Sequence, residues 1–411
     1  MKLKSGRQLN EMDTFFFGYS KVKTGQFRFA GCFECADPGI PLDQLKSSIE
    51  RVIENLKEVF VIDPKQNHRP KIETKSFESE REQRDFYGDC LSRPVDFGNV
   101  LLRVFFLNKA DGSRAIFLLI PHFAGDSKIA IFVLQQIMGS VTDAVSKEPL
   151  QFVSYRQMAR DKMRGPLDMG RSLVTEAGEM ADSFTWTSPK KGKMDIATRF
   201  LEDDEFKMIN RARRTMGLSR SMLLQVVVLH AYRELRPHRL SRVFNIIYDN
   251  TPPVSTVNNC FRSMPLVIPG EGAELTLEAS RDLFTSLLTR YESPVNRHAF
   301  LFRSFLAEVL PLSVIRRIFA RTTRGVQHYI SYVFLTGKLH LPSNPKGGHR
   351  IWGNIEPVGY SLSNFNVVEF EKQISLNVTW DTASLGESFG DELLNRIVGI
   401  FDELEKRRFS S

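Results

Sequence analysis

The chain of 411 residues lacks several things, and each absence narrows what it can be. No apolar run approaches the roughly 18–20 residues that a bilayer-spanning helix needs, which argues against a helical membrane protein. The opening "MKLKSGRQLNEMDTFFFGYS" has basic residues and three Phe but no uninterrupted apolar region and no small-residue cleavage site, so it does not read as a signal peptide. A soluble, cytoplasmic protein is the expectation. Four Cys are too few for a disulfide framework in a chain this long. Two of them, Cys32 and Cys35, form a CxxC in "FAGCFECAD". Zinc would want a second pair of ligands at matched spacing, and a redox pair would sit at a helix start rather than in a strand-like segment. They read as structural cysteines of a strand, and no metal site is expected. Neither GxxxxGK[ST] nor GxGxxG leading into a helix occurs, which disfavours nucleotide hydrolysis and dinucleotide redox chemistry. Zinc-finger spacing, a helix-turn-helix signature and an aromatic-basic recognition motif are all missing, so nucleic acid is not an expected partner. No fixed-period repeat is present.

What is there is ordinary globular material: 42% hydrophobic and 25% charged residues, with 32 Phe to fill cores. The net charge of +8 favours anionic partners such as phosphates or an acidic carrier surface. Basic runs such as the C-terminal "EKRRF" read as solvated faces. Apolar residues recur at helical spacing over 42–56 (Leu42, Leu45, Ile49, Val52, Ile53, Leu56). β-type composition marks 26–37, 100–108 and 114–122, the last two joined by the hairpin signal "KADG". A helix rich in apolar residues follows over 127–145. The pattern weakens from 150 to 195, and a Pro/Gly/Lys cluster near 187–196 marks a boundary, giving two halves, 1–186 and 187–411. In the second half, helices are expected over 203–217, 219–235, 275–292 and 390–407, with "GLS" as a stop and fresh N-cap between the first two. Strands are expected over 242–250, 328–339 and 372–381. The segment 309–325 is amphipathic and basic. It reads as packing on the second half, with contact to an anionic membrane as the alternative. Strands and helices mix through both halves, so the class is α/β with α+β character.

One junction carries chemistry. In "FLLIPHFAGDSKIAIFVLQQI" an apolar strand ends at His122, Asp126 follows, and an apolar helix begins at once. Spacing alone permits a histidine that simply satisfies a strand end. An imidazole titrating near neutrality can also take a proton from an alcohol or amine as it attacks a carbonyl, provided that its orientation is fixed. Gly125 would permit the tight turn. His230, inside "VVVLHAYREL", reads as a core or near-core helix residue, and His298, His328, His340 and His349 lack metal-type spacing.

"PHFAGDS" resembles the HHxxxDG motif of the CoA-dependent acyltransferase superfamily, which includes chloramphenicol acetyltransferase, condensation domains of nonribosomal peptide synthetases, and wax ester synthase and polyketide-associated acyltransferases. The resemblance runs along nearly the whole chain: "RQLNEMDTFFFG" looks like an opening segment of the wax ester synthase branch, and "HYISYVFLTG" and "KQISLNVTWDTASLG" look like core strands of the second half. It implies two related chloramphenicol-acetyltransferase-like domains forming a pseudo-dimer, with a substrate tunnel at their interface. It implies that His122 is the general base, that Asp126 holds the loop, and that no acyl-enzyme forms. Polar groups of the second half would steady the tetrahedral oxyanion, and Ser331 and Asn364 ("SLSNFN") are the candidates. The motif's first His is Pro121 here, and its Gly is Ser127, whose side chain would border the ligand channel. Relatives pair the Asp with an Arg that has no clear counterpart; Arg262 and Arg7 are candidates.

The resemblance therefore implies an acyltransferase moving an acyl group from a CoA or phosphopantetheine thioester to a hydroxyl or amine acceptor, with no tightly bound cofactor. A free-standing condensation enzyme acting on substrates held by an acyl or peptidyl carrier protein is the second reading. A catalytically degenerate binding member is the third. With two domain copies in one chain, a monomer is expected.

Overall fold

The computed structural model describes residues 3–36, 41–125, 127–141, 192–235, 242–248, 261–267, 276–291, 310–317, 326–334, 350–357 and 361–409, apart from a few single positions within these spans. Two main sheets organise them. The first has five strands in the order β12-β3-β7-β6-β4, where β3 is Ala30–Ala36, β4 Lys71–Ser76, β6 Arg103–Asn108, β7 Arg114–Pro121 and β12 Ile351–Ile355. The second has six strands in the order β10-β9-β11-β13-β14-β8, where β8 is Met194–Leu201, β9 Arg242–Tyr248, β10 Phe261–Val267, β11 Val326–Phe334, β13 Ser363–Phe370 and β14 Gln373–Asp381. The short strands β1 (Lys21–Lys23), β2 (Gln26–Phe27) and β5 (Val95–Asp96) form a small third sheet. This is the mixed α/β class that the sequence indicates.

The helices follow from their patterns. In α2 (Leu42–Asn55) Leu45, Ile49, Val52 and Ile53 are buried while Lys46, Glu50 and Arg51 face out, the single stripe expected of a helix packed on one side. α5 (Ser127–Val141) packs on α2, and Ile129 to Leu134 are buried without interruption, as in a helix enclosed on all sides. A short helix, α3 (Lys57–Phe60), follows α2, and α4 (Glu80–Ser92) covers the other face of the first sheet. In the second half α6 (Asp203–Thr215) and α7 (Arg220–Leu235) are separated by Gly217 at φ +66. Leu218 N–H closes back on Arg213 O at 2.9 Å, and Ser219 Oγ accepts from Met222 N at 3.2 Å. The "GLS" stop and restart is thus realised. α8 (Leu277–Tyr291) and α10 (Phe389–Phe409) pack on α7, and a short α9 (Thr382–Leu385) follows β14.

The 26–37 segment is broken at Arg28 into β2 and β3, and the 100–108 strand starts only at Arg103. Residues 100–102 are drawn off towards α3, where Leu101 N donates to Phe60 O at 2.8 Å. The β6–β7 hairpin forms as "KADG" indicates, with Gly112 at φ +80 in its loop. Four described strands of the second half lie outside the segments expected from sequence: β8, β10, β13, and β12, which leaves its own half to pair antiparallel with β3. Cys32 and Cys35 lie on β3 three residues apart, so they point to opposite faces; both are fully buried. Most of 309–325 lies outside the described residues. Among the described residues no helix is long and apolar enough to cross a membrane.

Candidate functional site

The junction that carries His122 is built from a strand end and a tight turn. β7 runs as a continuous buried strand from Ala115 to Pro121. Its pairing with β6 stops at Arg103↔Leu119, while its pairing with β3 continues to Ala30↔Pro121. Pro121, with no N–H to donate, therefore sits just past the end of β6, where it costs no ladder bond on that side. Its φ of −65° and ψ of 135° turn the chain into a single 3-10 turn, His122–Ala124. Gly125 ends that turn at φ 154°, ψ 170°, a conformation essentially confined to glycine. α5 starts two residues later.

His122 is 7% exposed, and its ring lies against Phe16, with centroids 4.5 Å apart. Phe16 belongs to α1 (Glu11–Ser20), whose start is fixed by a capping box: Asn10 Oδ1 accepts from Asp13 N at 2.8 Å and Asp13 Oδ2 accepts from Asn10 N at 3.3 Å. Phe17, the next residue, meets Phe123 edge-on at 5.0 Å. Beneath the turn lies Arg7. Its Nη2 donates to Ala124 O at 3.0 Å and to Phe123 O at 3.4 Å, and its Nη1 donates to Val59 O at 2.8 Å. Nη2 is 3.8 Å from Asp13 Oδ2, both side chains being wholly buried. Burial draws the Arg7 guanidinium below its ordinary value, with the Asp13 charge opposing.

The other expected site residues stand on the second sheet. One face of that sheet carries a row of buried polar side chains in register: Ser331 on β11 beside Asn366 on β13, beside Asn377 on β14, and Asn364 beside Thr379 one row away. Ser331 Oγ donates to Asn366 Oδ1 at 2.5 Å, and Asn377 Nδ2 donates to Asn366 O at 3.0 Å. This face meets β12. Asn364 Nδ2 donates to Asn354 Oδ1, and Asn366 Nδ2 donates to Gly353 O at 2.5 Å. β12 in turn lies beside β3, with Asn354 opposite Cys32, and β3 lies beside β7. Ser331 and Asn364 are thus brought onto one polar face, linked to the His122 strand end through two intervening strands. Neither Asn354 nor Asn366 had a signal in the sequence: β12 has only five residues and β13 is interrupted by asparagines, so neither has a readable period.

Asp126 lies outside the described residues. Ser127 opens α5, with its side chain likewise outside, as is that of Arg262 on β10. Arg7, a sequence candidate for pairing with the motif's Asp, donates to the backbone carbonyls of Phe123 and Ala124. His328 is buried on β11, its Nδ1 2.7 Å from Ser363 Oγ and its ring 3.8 Å from Tyr232. His230 is on α7 at the outer helix layer, 3.7 Å from Glu234, and lines a cavity of about 150 Å³ with Glu278 and Glu403. Among the described residues no three or more His, Cys, Asp or Glu gather as a metal site.

No protein-family model matches the chain, and no curated protein matches it. Solved structures do. The first condensation domain of the CDA synthetase, in complex with a substrate analogue, matches with a TM-score of 0.66 at 10% identity, over 97% of this chain and 96% of that one. The epimerization domain from the third module of a tyrocidine synthetase matches with a TM-score of 0.59 at 12% identity, over 98% and 97% of the two chains. The cyclization-docking bidomain EpoB from Sorangium cellulosum matches with a TM-score of 0.61 at 11% identity, over 96% and 84%. The chain therefore has, over nearly its whole length, the two-lobed fold of nonribosomal peptide synthetase condensation domains, the same chloramphenicol-acetyltransferase-like fold that "PHFAGDS" implies.

Proposed function

We propose that this protein is an acyltransferase that forms an amide or ester by passing an acyl group from a thioester to an amine or hydroxyl, with His122 as the general base. The observation that carries the reading is His122 itself: a mostly buried imidazole, stacked on Phe16, at the end of a core strand whose closing turn is gripped by a buried arginine. A histidine that only filled space would not require Pro121, Gly125 and Arg7 to fix its backbone. The condensation-domain fold supports the same reading and favours a donor held on a phosphopantetheine arm. That arm is common to CoA and to carrier proteins, so the donor is a co-substrate, and the positive net charge suits either form.

In the step proposed, an imidazole nitrogen of His122 takes the proton of the acceptor N–H or O–H as the acceptor atom bonds to the thioester carbon. The tetrahedral oxyanion collapses, the C–S bond breaks, and the thiolate leaves with the proton that His122 returns. Asp126 is proposed to hold the loop and Ser127 to border the channel. For the oxyanion, Asn364 is favoured over Ser331. Ser331 has one hydroxyl proton and gives it to Asn366, whereas the carboxamide of Asn364 has a second N–H beyond the one donated to Asn354. Residues 1–186 and 187–411 are proposed as the two acyltransferase-like halves, and the protein is proposed to act without a resident metal or cofactor.

The test is thiol release. Acyl-CoAs and acyl-pantetheine carrier proteins of graded chain length are offered with pooled amines and alcohols, with His122→Ala alongside. Acceptor-dependent thiol release that falls by about 10²–10⁴-fold in the variant supports the proposal, the range that general-base catalysis contributes. Equal release from both proteins removes His122 from the mechanism. Binding of an acylated carrier without release by either protein would favour a degenerate binding member.

A further inference from the structure

We propose that Arg7 is a positioning residue for His122, locking the backbone of the His122–Ala124 turn from beneath while the segment that it opens seals the imidazole from above. The inference rests on the reading of His122 as the base, and deepens it by giving Arg7 an effect on the rate that is exerted through the turn and the helix start together. A single 3-10 turn satisfies few of its own carbonyls. His122 O is taken by Gly125 N at 3.3 Å, whereas Phe123 O and Ala124 O both receive Nη2 of Arg7. The same guanidinium reaches Val59 O through Nη1, so one planar group ties the turn to the end of α3. Three carbonyls from two elements need a rigid fork of donors, which arginine has and lysine lacks.

The arrangement is a costly way to gain stability. A buried ion pair seldom outperforms well-packed apolar groups, because both charges lose their hydration. What the pair supplies is geometry. Asp13, 3.8 Å from the guanidinium, is also the third residue of α1 and a partner in its capping box, so the charge that neutralises Arg7 fixes the start of the helix that presents Phe16 to His122. Residues 7 to 17 therefore act on both sides of the same turn, Arg7 on its carbonyls and Phe16 and Phe17 on its rings.

Arg7→Met and Arg7→Lys test this, read by steady-state kinetics and by NMR of protein labelled at histidine Cε1. Eight histidines give the spectrum, and the His122 signal is the one lost in His122→Ala. The Phe16 ring current marks that signal, so a displaced turn moves it. Arg7→Met is expected to lower kcat by about 100-fold, the penalty of an ångström-scale misplacement, with KM held within about twofold. The His122 signal shifts while the other seven hold. Arg7→Lys is expected to recover only part of kcat, since the charge returns without the fork. An unmoved His122 signal together with a kcat explained by the folded fraction alone would overturn the proposal. If Arg7→Met does not fold, Arg7→Lys decides by the same two readings: wild-type kcat and an unshifted signal overturn it. An active His122→Ala would instead overturn the parent reading, whereas an inactive His122→Ala beside an unaltered Arg7→Met would overturn only the role of Arg7.

Discussion

At the scale of single residues, the turn depends on backbone conformations that few side chains tolerate. Gly125 at φ 154°, ψ 170° occupies a region that a Cβ makes unfavourable. Gly125→Ala is expected to cost about 1–3 kcal/mol of stability, measured by urea unfolding, and to lower the proposed acyl transfer beyond the loss of folded protein. A variant as stable and active as wild type would show that the turn accepts another conformation. "PHFAGDS" made this glycine and His122 legible, because a histidine and a tight turn between two apolar runs have no ordinary place in a core. The grip of Arg7 was only half legible. The sequence marked it as a candidate partner for a carboxylate, but that it would hold carbonyls of residues more than a hundred positions away is a matter of tertiary packing that no local period encodes. Ser331 and Asn364 were named only as polar candidates that the resemblance implies, and the face they share with Asn366 and Asn377 was not legible, because it depends on strand register.

At the scale of elements, propensity and packing disagree at α10. Replacing a helical glycine by alanine ordinarily gains up to about 1 kcal/mol. Gly390, however, lies against the buried indole of Trp380, and a Cβ there would sit 2.1 Å from its Cζ3. Trp380 cannot yield easily, because its Nε1 donates to Gly386 O at 2.8 Å. Gly390→Ala is therefore expected to destabilise by about 1–3 kcal/mol, the usual cost of overpacking, and a raised Tm would contradict this account of the contact. On the neighbouring α7, burial holds the His230 imidazole below its ordinary 6.5, with Glu234 pulling upward and Arg396 downward, and with Glu403 and Glu278 also facing it. The unfolded chain then binds that proton more readily than the fold, so stability is complete above the ordinary value and falls as pH drops below it. His230→Gln is expected to flatten the decline of Tm between pH 7 and 5, and an unchanged slope would show that His230 is indifferent to folding. The helices were the most legible elements, since α2 and α10 repeat apolar residues at helical spacing and α7 is marked by the stop and fresh cap at "GLS". The polar edge strand β4 and the asparagine-interrupted β13 were not, because their burial is decided by neighbours and not by their own alternation.

At the scale of the whole molecule, the two halves proposed to divide near 187 are joined by a strand. β12 comes from residues 351–355, yet it forms the edge of the first sheet beside β3, with Ile351↔Cys35 through Ile355↔Gly31 in register. On its other side its backbone and side chains are held by Asn364 and Asn366 of the second sheet. Arg84 on α4 adds a second tie, its Nη2 2.9 Å from Asp195 on β8 and its Nη1 3.0 Å from Asp391 on α10. Gly88 lets α4 approach so closely that a Cβ there would lie 2.4 Å from Met194 O. Residues 1–186 produced alone would therefore expose the ladder edge of β3 and the apolar side of Trp352's neighbours, Tyr87 and Phe117. An uncovered edge with apolar flanks pairs with whatever strand it meets. The fragment is expected to aggregate or associate, and to become soluble with native near-ultraviolet circular dichroism only when residues 187–411 are co-expressed. Within the intact chain, Gly353→Val tests the same junction without cutting it, since a side chain at 353 would meet the Phe33 ring at 2.6 Å and push β12 off β3. Its expected signature is a single unfolding transition at lower temperature, because both sheets lose the strand together. A monomeric, folded 1–186 fragment, or a Gly353→Val protein that melts in two steps with the second sheet unaffected, would show that the halves stand independently and that β12 is an accessory to the fold.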